Sequence, residues 1–199
     1  MENVLPPSPE EMKRIYEAVA CILRKKGLSS SRSLAGCVRC GACSALSRFE
    51  EAMDRLTCHP VRTKAEQERA FEIRKEVFVL EQKLFVDSDA DKNDAKSVHF
   101  AAEWNNEIVG TVRVFPVNNN GHWVGGRLAV KNGFRNTGAG ELLVREAVDY
   151  VKNRGCTKFT AHIQLENVPF FSRVGWKMIE PVKDYFGRPH QLMEANLDD

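Results

Sequence analysis

The sequence predicts an α/β protein in which one domain carries the function behind a short helical extension. The chain has 199 residues, of which 43% are hydrophobic and 28% charged, as in ordinary globular domains. Helical and strand periodicities alternate along most of its length. In the middle of the chain a glycine-rich turn joins a predicted strand to a predicted helix, a pattern typical of α/β domains that bind phosphate groups.

Residues 1–60 form the predicted helical extension. A capping hydroxyl, a proline and a glutamate within 8–11 mark a helix start, and apolar residues at helical spacing continue it over about 9–26. A second helical stripe runs over 42–56, and Pro60 ends the unit. Two short helices bury too little surface to be stable alone, so we expect them to pack on the rest or to be held by something other than a core.

Residues 61–199 form the predicted α/β domain. Its elements are expected in this order: a short strand over 61–64, a helix over Ala65–Glu81, an acidic loop over Asp87–Asp94, strands Val98–Trp104 and Ile108–Phe115, a strand Trp123–Val130, a helix Glu141–Asn153, a strand Lys158–Gln164, a short helix Asn167–Val174, and strand-like segments near 176–180 and 190–197. Asn105 and Asn106 close a hairpin between the second and third strands, because asparagine tolerates the left-handed backbone of a tight turn.

The charge pattern argues against several classes of partner. The net charge is +2, from 29 basic and 27 acidic residues, and basic residues cluster only at Arg24, Lys25 and Lys26. We therefore expect no nucleic-acid partner. The longest apolar run, Ala18–Leu23, is too short to cross a bilayer, and the first residues lack a secretory signal. We expect a soluble cytoplasmic protein with no membrane role.

The segment Arg127–Gly140 carries the most chemical information. Backbone N–H groups at a helix N-terminus point outward, glycines let an anion approach the chain, and Arg135 adds a positive charge. A dinucleotide fingerprint is excluded because Leu143 stands where its third glycine is required, and a Walker loop because Ala139 replaces its lysine. A tight connection that binds no ligand is the alternative interpretation.

The remaining pattern, R-x-x-G-x-G from Arg135 to Gly140, resembles the GNAT superfamily of acyl-CoA-dependent N-acetyltransferases. Four further segments match in the family's order and approximate spacing: Arg74-x-x-Val77-Phe78-x-x-Glu81-Gln82, Gly110-Thr111-Val112-Arg113, Gly126-Arg127-Leu128-Ala129-Val130 and Phe170-Phe171-Ser172-Arg173-Val174-Gly175-Trp176. The resemblance covers about residues 61–197. The segments 161–167 and 187–191 resemble a subgroup associated with bacterial nitrogen-starvation and nitrilase gene clusters. The family implies a mixed, mainly antiparallel sheet flanked by helices.

The resemblance also implies acetyl-CoA as the co-substrate and suggests where it binds. Backbone groups of Leu128, Ala129 and Val130 would pair with the pantetheine arm as though it were an added strand. The backbone amides of the turn would hold the CoA pyrophosphate, and these belong to Arg135, Asn136, Thr137, Gly138, Ala139 and Gly140. Asn167 would contact the pantetheine near the thiol.

Acetyl transfer also requires a group to receive the departing thiolate. The family usually supplies a tyrosine four residues before the glycine of its F-Y-x-x-x-G-F pattern, where this chain has Phe171. One alternative is that another group, such as Tyr185, donates the proton. The other is that the thiolate leaves unassisted, which a thiol pKa of about 8.5 allows near neutral pH.

Three residues are candidates for the general base: Glu81, His162 and His190. Glu81 follows the apolar run Val77–Leu80, where partial burial would raise its pKa, although a structural hydrogen bond explains it equally well. His162 lies on one face of its strand with Thr160 and Gln164, opposite the apolar residues, so it faces either a cleft or a polar part of the core.

His190 lies where the subgroup has a recurrent histidine near the acceptor site. An exposed turn histidine without a catalytic role is the alternative. The three candidates remain open on the sequence alone.

The acidic loop Asp87–Asp94 does not fit a calcium-binding EF-hand, because Lys92 and Val98 occupy the positions of its glycine and its last glutamate. We expect a solvated loop. The alternative is that its carboxylates attract a cationic amine acceptor.

The extension contains three cysteines at two-residue gaps, Cys37, Cys40 and Cys43, and a distant Cys58. Such spacing is able to hold zinc or an iron–sulfur cluster. Reduced cytosolic thiols are the interpretation that we prefer, and we assign no metal ligand.

The sequence therefore predicts an N-acetyltransferase that moves an acetyl group from acetyl-CoA to a small-molecule primary amine by direct attack on the thioester. The alternative is a catalytically weak GNAT-like sensor of acyl-CoA, regulated by metal or redox chemistry at the N-terminal cysteines. A homodimer is the assembly that we consider.

Overall fold

The computed structural model describes residues 56–118, 120–185 and 187–198. These residues belong to one unit of the chain, Leu56–Asp199. The predicted helices over 9–26 and 42–56 lie outside the described residues, apart from Leu56, and so do Cys37, Cys40 and Cys43.

The described unit is a mixed α/β structure with one eight-stranded sheet. The strands are β1 (Leu56–Pro60), β2 (Val98–Trp104), β3 (Glu107–Pro116), β4 (His122–Val130), β5 (Lys158–Gln164), β6 (Trp176–Met178), β7 (Lys183–Tyr185) and β8 (Arg188–Ala195). The α-helices are α1 (Lys64–Arg74), α2 (Ala139–Lys152) and α3 (Val168–Arg173). The order across the sheet is β1-β2-β3-β4-β5-β8-β6, and β7 also pairs with β8.

The sheet is mainly antiparallel, as the resemblance implied. Only the β4–β5 pair is parallel among the described strands, and α2 connects the two. The hairpin between β2 and β3 is confirmed, with φ of 50° at Asn105 and 65° at Asn106. The predicted fold class is therefore correct.

The first strand differs from the prediction. Leu56–Pro60 pairs with β2 from Leu56↔Trp104 to Pro60↔Phe100, whereas the sequence pattern placed Leu56 in a helix and the strand at 61–64. Hydrogen bonding to an exposed sheet edge outweighs a short helical periodicity, because helix propensity is a weak local preference.

The helix predicted over Ala65–Glu81 consists of two parts. Helix α1 starts at a capping box, in which the Thr63 hydroxyl accepts from the Glu66 N–H and the Glu66 carboxylate accepts from the Thr63 N–H. A π-helix over Lys75–Glu81 follows it directly and buries the successive residues 77–79 against the sheet. π-Helical turns are rare and often lie at functional sites.

The core covers both faces of the sheet. On one face α2 packs through Leu143, Ala147 and Val151, against strand residues that include Val112 and Val114. On the other face lies a smaller cluster formed around the π-helix. None of the helices in the described residues is long and apolar enough to span a membrane.

Candidate active site

A cleft opens where strands β4 and β5 separate. Their parallel pairing, as the structure describes it, runs from His122↔Lys158 to Gly125↔Ala161 and ends there. A cavity at this position is lined by residues of both strands, by the π-helix and by the C-terminal strands. The separation of the two strands thus leaves a cavity within the sheet.

Beyond the end of this pairing, β4 continues through Leu128, Ala129 and Val130. Ala129 and Val130 pair with β3 on one side, and their side chains are buried. On the side of β5, no strand of the described residues pairs with this stretch. Its backbone edge on that side therefore has no strand partner among the described residues.

The glycine-rich turn follows β4 and leads into α2. Gly138 has φ of 90°, a conformation that glycine adopts without strain, and it caps the helix. The first helical hydrogen bond runs from the Leu142 N–H to the Gly138 carbonyl at 2.9 Å. The N–H groups of Ala139 and Gly140 come before it and therefore have no acceptor within the helix. Such groups attract anions.

Two other amides of the turn are used within it. The Arg135 N–H donates to Asn132 at 3.4 Å and the Thr137 N–H donates to Phe134 at 3.2 Å. Asn136, between them, is exposed. The six predicted amides therefore differ in how readily they can meet an anion.

Arg135 is bound to Glu81, a contact that the sequence did not suggest. Its Nη1 and Nη2 donate to the two carboxylate oxygens of Glu81 at 2.8 and 2.5 Å. The Glu81 side chain is exposed at the end of the π-helix, so the interpretation by partial burial is wrong and the alternative, a structural hydrogen bond, is the one observed. The hydrogen bond from Arg135 lowers the pKa of Glu81 instead of raising it.

Asn167 and Phe171 both line the cavity. Asn167 precedes α3, and its side chain makes no capping hydrogen bond there. Phe171 is 6% exposed and packs edge-on against Phe170 and Trp176. The position that carries a tyrosine in the family is thus a buried phenyl ring at the cavity wall.

His162, Tyr185 and His190 form a cluster of stacked and edge-to-face rings. The His162 and Tyr185 rings are stacked with centroids 4.7 Å apart, and the Tyr185 and His190 rings meet edge to face at 5.5 Å. All three residues line the cavity. The sequence could not place Tyr185 here, because β7 is too short to give a readable strand pattern.

The two histidines differ in environment. His190 is buried, and its Nδ1 lies 2.9 Å from the Arg188 carbonyl oxygen. Since a carbonyl only accepts, Nδ1 carries the proton and the neutral ring has its lone pair on Nε2. His162 is the more exposed of the two, and partial burial together with the nearby His190 lowers its pKa.

Gln82 joins the π-helix to the C-terminal strands. Its side-chain oxygen accepts from Gln164 at 3.0 Å, and its backbone carbonyl accepts from Arg188 at 2.8 Å. The residue stands at the end of the matched Arg74-to-Gln82 motif, which is the signal that singled it out without assigning it a role.

The prediction of a solvated acidic loop is wrong. Asp89 is 2% exposed, and its Oδ2 lies 2.8 Å from Arg74 Nε and 2.9 Å from Arg127 Nε. Asp91 forms a two-pronged pair with Arg113 at 2.9 and 2.6 Å.

Asp94 completes this network by accepting from Arg74 at 2.7 Å and from Arg113 at 2.6 Å. Burial alone would raise the pKa of Asp94, but these guanidinium groups hold it well below its usual range. Three arginines thus neutralise three carboxylates of the loop.

The described residues contain no group of three or more His, Cys, Asp or Glu side chains placed to hold a metal ion. Burial raises the pKa of Cys58 to about 12, which disfavours the thiolate form that metals bind.

The fold and the open cleft together define the class of protein. The chain belongs to the acetyltransferase (GNAT) family, whose model matches residues 62–176. It is similar to a Bacillus subtilis protein named "Putative acetyltransferase BSU40680", with 32% identity over 132 residues that span 65% of this chain and 88% of that protein.

Two solved structures have the same fold. Escherichia coli ElaA has a TM-score of 0.63 and 19% identity, covering 71% of this chain and 99% of that one. A GNAT family acetyltransferase from Elizabethkingia anophelis, solved with acetyl-CoA bound, has a TM-score of 0.52 and 17% identity over 72% of this chain and 99% of that one. At these identities the likeness concerns the fold alone.

Proposed function

We propose that the protein transfers an acetyl group from acetyl-CoA to a small-molecule primary amine. The observation that carries this proposal is that β4 and β5 separate after Gly125 and Ala161 in a member of the GNAT family. The first backbone amides of α2, which precede the first helical hydrogen bond, follow β4 along the chain. An extended thioester arm fits an open strand edge, and a pyrophosphate fits a glycine-rich helix N-terminus.

In this proposal the donor is held mainly by one continuous segment, residues 128–140, and in addition by Asn167. Leu128, Ala129 and Val130 pair with the pantetheine arm through their backbone, while the amides of the turn from Arg135 to Gly140 receive the pyrophosphate. Asn167 contacts the arm near the thioester from the start of α3.

The reaction proceeds by direct attack. The neutral amine nitrogen bonds to the thioester carbonyl carbon, whose oxygen takes the negative charge. When the carbonyl re-forms, the C–S bond breaks and the sulfur leaves with its electron pair. The base removes one proton from the new amide nitrogen, and the thiolate takes up one proton, so the products are an N-acetyl amine and free CoA.

His190 is the base that the geometry supports best. The hydrogen bond to the Arg188 carbonyl fixes its ring and leaves Nε2 to accept a proton. His162 is the second candidate, because its lowered pKa keeps it neutral at physiological pH. Glu81 stays a weaker candidate, since its carboxylate is held ionised by Arg135.

The departing thiolate has no tyrosine at Phe171 to protonate it. Tyr185 lines the same cavity beside both histidines and is the candidate donor. Loss of a positioned acid costs roughly 10² to 10⁴ in rate, so an acetyltransferase without one would be slower but still active.

The acceptor is expected to be an amine without a second cationic group. Asp91 is the only carboxylate among the described residues that line the cavity, and Arg113 and Arg127 already bind it. A polyamine would find no free carboxylate there. The nitrogen-starvation subgroup, the homodimer and the cytoplasmic location stay predictions.

The proposal is tested by measuring free thiol released from acetyl-CoA in the presence of a panel of amines that includes aromatic amines, amino acids and spermidine. Amine-dependent thiol release with an N-acetyl product supports it. Acetyl-CoA binding without release by any amine would instead support the sensor alternative, which the phenyl ring at Phe171 favours. The absence of both would contradict both functions.

A further inference from the structure

Arg127 has an unusual backbone for a residue inside a strand. Its φ is 56°, in the left-handed region that side chains other than glycine rarely adopt. The other non-glycine residues with positive φ in the described chain, Lys83, Asn105 and Asn106, lie outside strands. A left-handed residue persists only where its surroundings hold it.

Asp89 holds Arg127 through two groups at once. The Asp89 carbonyl accepts from Arg127 Nε at 3.1 Å and from Nη2 at 2.9 Å. The Asp89 carboxylate Oδ2 lies 2.9 Å from the same Nε. Asp89 therefore makes most of the polar contacts of the Arg127 guanidinium, and Asp91 Oδ2 adds one at 3.3 Å from Nη2.

Asp89 is itself held in place. Its carboxylate also accepts from Nε of Arg74 at 2.8 Å, and the Arg74 side chain is fully buried. Breaking a buried pair of this kind leaves an uncompensated charge, so the arrangement resists change. The acidic loop is thus tied through Asp89 to a rigid part of the core.

The kink at Arg127 lies where the cleft begins. The β4–β5 pairing ends at Gly125, two residues earlier, and the β3–β4 register shifts opposite it, between Thr111 and Arg113. The donor edge Leu128–Val130 starts directly after it. The direction of that edge is therefore set at Arg127.

We propose that Asp89 is a positioning residue, which holds the Arg127 kink of β4 and so orients the backbone edge Leu128–Val130 toward acyl-CoA. This inference rests on the proposed function, because it concerns the same donor site. Asp89 acts through Arg127 and does not itself contact the donor.

The test is the affinity for acetyl-CoA, measured by calorimetry on the full chain and corrected for the folded fraction. In Asp89→Asn the dissociation constant should rise about tenfold, the order of coupling between residues of one hydrogen-bond network. The kcat at saturating acetyl-CoA should change little, because the chemistry takes place elsewhere. Asp94→Asn is the matched control, since Asp94 binds Arg74 and Arg113 in the same buried network.

Arg127→Gly is the second variant, in case Asp89→Asn fails to fold. Glycine accepts the left-handed backbone without strain but loses the anchor, so it should bind acetyl-CoA better than Arg127→Ala and less well than the wild type. Asp89→Asn should add little to Arg127→Gly, because the interaction that it weakens is already gone.

The outcomes separate the two proposals. A wild-type protein that binds no acetyl-CoA overturns the proposed function and this inference with it. If the wild type binds acetyl-CoA, two results overturn the positioning role alone. One is an Asp89→Asn variant that binds acetyl-CoA as tightly as the wild type. The other is an Asp94→Asn variant that loses as much affinity as Asp89→Asn does.

Discussion

Arg135 and Glu81 form a two-pronged ion pair between the glycine-rich turn and the end of the π-helix, with N–O distances of 2.8 and 2.5 Å. This ion pair occupies the Arg135 guanidinium, whose positive charge is expected to attract the CoA pyrophosphate. It also keeps the carboxylate ionised and weakly basic, since the hydrogen bond from Arg135 lowers the pKa of Glu81.

The first prediction concerns Glu81→Gln. Without the competing carboxylate, acetyl-CoA should bind about two- to fivefold more tightly, the range expected for one exposed ion pair. Calorimetry measures this, with Glu72→Gln as the control because Glu72 pairs with Arg69 elsewhere on the surface. A loss of kcat by about a hundredfold at unchanged affinity would instead make Glu81 the general base.

The second prediction concerns His190→Gln. Removing the base should lower kcat/KM for the amine by about 10² to 10⁴ while acetyl-CoA affinity stays the same. The control is His59→Gln, because His59 lies on β1 and pairs with Glu103 of β2. Equal losses of turnover and donor affinity would refute the assignment, and a larger loss of turnover in His162→Gln would transfer the role to His162.

The third prediction concerns the acid at the position where the family has a tyrosine and this chain has Phe171. Phe171→Tyr places a hydroxyl at the cavity wall, and kcat should rise by about tenfold or more if protonation of the thiolate limits the rate. Phe170→Tyr is the matched control, since its ring packs edge-on against Phe171. An unchanged kcat in Phe171→Tyr would show that the thiolate leaves without help or that another group already protonates it.

The fourth prediction concerns stability in acid. His99 is buried, 3.7 Å from Asp94, and its pKa is lowered by burial and by the positive charge of Arg74. The unfolded chain therefore binds a proton at a pH where the folded chain does not, so the free energy of unfolding falls as the pH drops below the ordinary histidine pKa of about 6.5. In His99→Phe the fall between pH 7 and pH 5 should be smaller.

Urea unfolding at several pH values measures this fall in the free energy of unfolding. His59→Gln serves again as the control, because His59 is only partly buried. Parallel pH dependence in the wild type and His99→Phe would assign the acid sensitivity to other groups.

Elements defined by local periodicity could be predicted from the sequence. The strand Lys158–Gln164 matches its predicted range, and the Asn105-Asn106 turn follows from two residues that tolerate positive φ. Strand β1 could not be predicted, because it pairs with Phe100–Trp104, forty or more residues away in the chain. Short edge strands take their structure from the sheet that they join.

The acidic network was missed for a related reason. Asp89, Asp91 and Asp94 look like a solvated loop until their arginine partners are known, and Arg113 lies 19 residues beyond Asp94. The sequence shows that these side chains carry charge, but it does not show whether each carboxylate contacts water or a buried guanidinium. The ring cluster of Tyr185 and His190 likewise depends on a pairing of β7 with β8 that leaves little periodic signal.

The ring cluster has a consequence for how substrate choice is encoded. Tyr185 and His190 lie in the hairpin β7–β8, beyond residue 176, where the family match ends, whereas the expected donor groups lie between β4 and the start of α3. The groups expected to bind the donor and two rings of the candidate catalytic cluster thus come from separate segments of the chain. A foreign segment grafted over residues 179–184, which leaves Tyr185 and His190 in place, should change which amine is accepted while acetyl-CoA binds as before.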